Sequence, residues 1–180
     1  MKYPILVVAA GLLSAACHKL VVCEDEKLRL PKTDYAGAAL KLNGFYYGEP
    51  TTDFRGVTSY NVMVLSRNGV VCRPGGAEQH QLADYLRRLT PAPDLLKRTK
   101  YAWGRFVIDG NHLRLEHWNP ASCGHGISVL DATILNDTTF VLNTLQVRKD
   151  GRAQAAGAVN AVYRFQAFSP KPDSVVSFVE

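Results

Sequence analysis

No apolar run in this 180-residue sequence is long enough to cross a bilayer as a helix, which takes roughly 20 residues; the strongest candidate, at 5–13, falls well short. Phosphate loops and dinucleotide fingerprints are absent, and Gly75-Gly76 is too little to stand for either. None of the four cysteines pair at metal-knuckle or redox-motif spacing. Ser122, Ser128 and Ser174 all lack the strand-to-helix elbow that exposes a nucleophilic hydroxyl. Converging metal ligands are missing too. His112 and His117, five apart in a strand, point to opposite faces, and only a hairpin bringing His125 toward His117 would assemble a pair. The sequence therefore specifies no cofactor, no metal and no catalytic centre.

Charge is mild, with 21 Lys and Arg against 16 Asp and Glu, a formal +5. Arg87, Arg88, Lys97, Arg98, Lys100 and Arg105 crowd together with only Asp94 opposing them. Such a run reads first as solvated surface and second as a place for an anionic headgroup or ligand. No nucleic-acid recognition motif accompanies it.

What is present begins at the N-terminus. Lys2 supplies a positive start, residues 5–13 an apolar stretch, and Ser14-Ala15-Ala16 a run of small residues leading to Cys17, the layout of an export signal. Leu13-Ser14-Ala15-Ala16-Cys17 resembles the lipobox of bacterial lipoproteins, although Ser14 stands where Leu is commonest. The resemblance implies cleavage after Ala16, lipidation of Cys17 and residence in the bacterial cell envelope. With His18 rather than Asp following the cysteine, the outer membrane is the expected destination. Cys23, preceded by bulky Val22, is a poorer anchor. If Cys17 is lipidated, the expected disulfide joins Cys72 and Cys123, each at the end of a β-like run. Residues 17–39, charged and interrupted by Pro31, read as a tether.

From residue 40 to 180 a single β domain is expected. Residues 40–49 and 58–66 alternate with period two, and Asn68-Gly69 turns the second run back through residues 70–72. Further hairpins follow at Asp109-Gly110 and Asn136-Asp137, a loop is expected at 150–157, and a last strand spans 158–168. One segment departs from this: Leu82, Tyr85, Leu86 and Leu89 make an amphipathic stripe, predicting a helix over 77–89 ended by Pro91 and Pro93, with a short helical turn at 94–98. The tail at 175–179 is expected to add a short strand. Eight strands with short antiparallel links predict a mainly β protein, a closed or nearly closed eight-stranded barrel with one amphipathic helix.

The Asn43-Gly44-Phe45-Tyr46 opening strand followed by successive hairpins resembles lipocalin-type barrels over residues 38–170, departing from their Gly-x-Trp opening and carrying its helix early. The chain also resembles small uncharacterised lipoproteins of Bacteroidetes-type bacteria, through Trp103–Ile108, Asn136–Phe140 and Lys171–Ser174. The lipocalin-like organisation implies a cavity. Trp103, Arg105 and Val107 share one strand face, and Val159, Ala161, Tyr163, Phe165 and Ala167 share another. Tyr46, Trp103, Arg105 and Tyr163 are the candidate ligand residues, with Arg105 orienting a polar ligand end. The leading expectation is a non-catalytic, lipid-anchored binding module for a small apolar or amphipathic ligand. A filled-core protein that docks another envelope component is the alternative, followed by an envelope hydrolase.

Overall fold

The computed structural model describes residues 23–52, 55–77, 82–88, 94–121, 123–172 and 174–179; the residues read as an export signal, and Cys17, lie outside them. Nine strands run in chain order: β1 Gly44–Thr52, β2 Thr58–Leu65, β3 Val70–Cys72, β4 Gly76–Ala77, β5 Trp103–Asp109, β6 His112–Pro120, β7 His125–Asn136, β8 Thr139–Lys149 and β9 Arg152–Ala167. All pairings are antiparallel; apart from β4, which pairs with β2, each strand lies beside the next in the chain, and β9 returns beside β1, which also pairs with β2. Eight strands thus close an up-and-down barrel, as the hairpin sequence predicts. The ninth, β4, resumes the pairing of β3 with β2 after a break at residues 73–75.

The tight turns fall where the sequence puts them, with Gly69 and Gly110 at positive φ (74° and 57°), although Asp109 pairs with His112 and leaves Gly110-Asn111 as the loop of the second. Beyond β8 the structure corrects the expected loop. Asp150 and Gly151 both take positive φ (52° and 72°) and reverse the chain at once, so β9 begins at Arg152. Its first half, rich in alanine, has little β propensity of its own and is held by pairing with β8. Within the span predicted as a helix, 77–89, the described part is α1, Leu82–Arg88, and Ala77 belongs to β4 instead. Leu82 and Tyr85 pack inward, while Leu89 lies outside the described residues. A second helix, α2, spans Asp94–Arg98.

Side chains alternate across the wall into two buried layers. Inside the barrel, Tyr46, Met63, Leu65, Val71, Phe106, Leu113, Leu115, Leu130, Ile134 and Phe140 fill one end. Gly104 is required there: a Cβ would stand 1.9 Å from the Glu116 carbonyl oxygen, directly across from His117. The outer layer, with Phe45, Val64, Cys72, Trp103, Trp118 and Ile127, is covered by the helical excursion, the N-terminal segment and the tail. Instead of a ninth barrel strand the tail forms a 3-10 turn at Ser177–Val179, burying Val176 and Val179 and setting Phe178 edge-on to Trp118.

The segment read as a tether is fastened to the wall from Cys23 onward. Cys23 is bonded to Cys123, not Cys72 to Cys123; Cys72 is a free, buried thiol on the outer layer of β3. Asp25 binds Lys100 (2.7 Å) and the His125 backbone and ring, which hold its carboxyl well below the usual range against the opposing effect of burial. Glu116 receives the backbone N–H groups of Arg29 and Leu30 and a guanidinium N–H of Arg148. Farther along, Tyr35, Leu40 and Leu42 pack onto the inner layer and close one barrel end, where Lys171 donates to the carbonyls of Leu42 and Leu65.

Candidate functional site

The opposite end is open. β1 and β9 pair only through residues 44–47 and 164–167, and beyond Tyr47 the two strands part. The register slips between Tyr47 and Pro50, and Pro50 has no N–H to give a neighbouring strand. Across the gap, Asn160 takes φ 53°, beside an irregularity in the β8–β9 ladder. A cavity of about 400 Å³ occupies this seam, lined on the β1 side by residues 48–51 and on the β9 side by Val159, Asn160, Ala161 and Tyr163. That size lies within the ordinary range for ligand pockets, roughly 300 to 1,000 Å³. Leu130, Leu142 and Leu145 give it an apolar side, while Glu49, Thr51, Asn61, Ser128 and Arg73 are polar members of its lining.

Arg73 decides the character of this space. It follows Val71 by two residues and so faces inward, while Pro74 and Gly75 (φ 107°) end the strand behind it. Its guanidinium also borders a small recess through the wall, lined by Val62, Tyr101, His117 and Trp118. Burial lowers the guanidinium's pKa, and the neighbouring Tyr163 hydroxyl opposes that shift. The group remains a cation, since arginine does not deprotonate in proteins. Among the described residues no carboxylate makes an ion pair with it.

Its partner is His117. A guanidinium can only donate, so the contact between Arg73 Nη1 and His117 Nε2 makes Nε2 the acceptor. The proton then sits on Nδ1, which donates to the Trp118 carbonyl at 2.8 Å. Burial and the adjacent Arg73 charge push the His117 pKa down to about 3, keeping the ring neutral. Ser128 stands opposite His117 in the β6–β7 ladder, but both ring nitrogens are already engaged, so this imidazole has no free lone pair to act as a base toward Ser128. The same ladder sets His125 against Pro120, and His125 bonds Asp25 rather than approaching His117. Among the described residues no group of three or more His, Cys, Asp and Glu could hold a metal ion.

The four residues expected to meet a ligand are not brought together. Trp103 and Arg105 belong to the outer face: the Trp103 indole donates to the Leu96 carbonyl (2.8 Å), and Arg105 donates to the Leu30 carbonyl (2.9 Å). Both hold covering segments in place. Tyr46 is inside but at the filled end, where its hydroxyl donates to the Lys41 and Asp137 carbonyls. Tyr163 alone lines the cavity, stacked on Phe140 with ring centroids 5.0 Å apart and lying over Gly48, where a side chain would press on its ring. The residue missed was Arg73. Its signal in the sequence is a charge on the same strand face as Val71, immediately before Pro-Gly-Gly; the structure makes that face the inner one.

Compared with known protein families, characterised proteins and solved structures, the chain has no match.

Proposed function

We propose that this protein is a non-catalytic, lipid-anchored binding module of the bacterial envelope, carrying a small amphipathic ligand in the open seam of its barrel. The observation that carries the reading is Arg73: a partly buried cation that pairs with no carboxylate among the described residues, at a cavity whose lining joins Leu130, Leu142 and Leu145 to polar side chains. A buried charge is costly unless compensated. A ligand with an anionic head and an apolar body supplies the missing charge while covering Leu130, Leu142 and Leu145. Guanidinium and carboxylate also match in geometry, donating and accepting in parallel. Anchorage at Cys17 and an outer-membrane location are part of this proposal, supported by the lipobox-like residues 13–17.

Equilibrium dialysis with labelled dodecanoate and dodecanol tests the ligand half. Dodecanoate is expected to bind the wild-type protein more tightly than the alcohol. Arg73→Met is expected to weaken the acid about 10- to 100-fold, the range for a hydrogen bond to a charged group, and to leave the alcohol unchanged. Native mass spectrometry of protein purified from its own envelope identifies any resident ligand. If neither probe binds and no small molecule co-purifies, the filled-core interaction protein becomes the better reading, with the filled inner layer in its favour.

A further inference from the structure

We infer that the open end of the barrel, with its β8–β9 hairpin, rests against the lipid surface, so that the seam exchanges its amphiphile directly with the membrane. The inference rests on the reading just given, in which Cys17 carries the lipid, but its geometry comes from the disulfide. Cys23 is bonded to Cys123 in the β6–β7 connection, which lies at the same barrel end as the β8–β9 turn and the parted strands. The attachment is local and tight. Lys149 Nζ donates to the Glu24 carbonyl at 2.8 Å, and the Gly151 N–H donates to the Glu26 carboxylate at 2.5 Å.

Six peptide units separate Cys17 from Cys23, and fully extended they reach about 21 Å. The barrel is longer than that: β7, with 12 residues, spans about 40 Å along its own direction and about 30 Å along a barrel axis at ordinary strand tilt. The lipid therefore cannot reach the closed end, where the turns at 66–69, 109–112 and 136–139 lie. The segment that would carry it there is already laid along the wall toward that end.

The surface presented at the open end suits a lipid interface. Residues 152–160 are all exposed, and five of the nine are Ala153, Ala155, Ala156, Ala158 and Val159, with Arg152 at the turn. Val57, in the β1–β2 connection on the same side, is also exposed. Small apolar side chains beside a basic group fit the boundary between headgroups and acyl chains. Val159 both lines the cavity and faces outward at the seam, which joins the cavity to that surface.

Hydrogen exchange on the full-length lipidated protein, its lipid first verified by mass, tests the orientation on mixed phosphatidylcholine and phosphatidylglycerol vesicles. The reference is the same protein with a long Gly/Ser insertion between residues 18 and 22, which leaves the barrel untouched and frees its orientation. Peptides covering 55–60 and 149–160 are expected to exchange at least about five-fold more slowly in the native-length protein, with the turns at 66–69, 109–112 and 136–139 unchanged. Protection at those closed-end turns, or equal exchange in both proteins, would overturn the orientation while leaving the dialysis result standing. A mature mass without lipid would overturn the anchorage reading, and this inference with it.

Discussion

Glu116 is 3 % exposed on the outer face of β6, yet it is a charge that stabilises more than its own strand. One oxygen receives two backbone N–H groups of the N-terminal segment, and the other receives Arg148, whose second nearby carboxylate, Glu26, is 3.6 Å away. Removing one member of such a buried set leaves uncompensated charge, a loss of about 3–5 kcal/mol. Glu116→Ala is therefore expected to lower the urea-unfolding free energy by that amount, and Glu116→Gln by less, because the amide oxygen still accepts the two backbone donors. His117 makes a different prediction. Its folded-state pKa, about 3, lies below the ordinary value of 6.5. The unfolded chain therefore binds the proton first as pH falls, and stability declines from pH 6.5 toward 3. The slope is at most about 1.4 kcal/mol per pH unit. His117→Gln, which keeps an acceptor for Arg73, is expected to flatten urea midpoints between pH 6.5 and 4.5; an unchanged slope would count against the neutral imidazole.

At the scale of elements, β5 and β6 approach each other closely because Gly104 has no side chain. With a Cβ 1.9 Å from the Glu116 carbonyl oxygen, Gly104→Ala must move backbone rather than a flexible side chain. The expected cost is about 3 kcal/mol, the upper part of the overpacking range, read as a shift of the denaturation midpoint. The hairpins of this barrel were legible because Asn68-Gly69 and Asp109-Gly110 carry their turn chemistry in two adjacent residues. Strand faces were legible only as alternation. Trp103 and Arg105 were rightly placed on one face of β5, but a strand with apolar residues on both faces does not say which one looks inward. Here the outer face is apolar because other segments cover it. The covering segment itself had no periodicity to read, since its hydrogen bonds go to single side chains such as Glu116 and Asp25. That hid the role of Cys23 and left Cys72 as the seemingly better partner for Cys123.

For the whole molecule, the Cys23–Cys123 bond closes a loop of 100 residues and makes the N-terminal segment part of the barrel wall. In the chain-entropy treatment a loop of that length stabilises by about 4.7 kcal/mol. Cys123→Ser is expected to lose about 3–5 kcal/mol, measured by urea titration against untreated wild type. The position of the remaining thiol separates this connectivity from the alternative with no variant at all. Cys72 is buried, and desolvation raises its pKa far above that of an ordinary thiol, so the native protein should resist iodoacetamide. Unfolded without reductant, a chain lipidated at Cys17 should expose one reactive thiol, and peptide mapping should place the label on Cys72. Label on Cys23 with Cys72 protected would mean that Cys72 and Cys123 are joined. The N-terminal segment would then lose its covalent hold on the β6–β7 connection, and with it the short, fixed route by which the lipid proposed at Cys17 is held to the open end of the barrel.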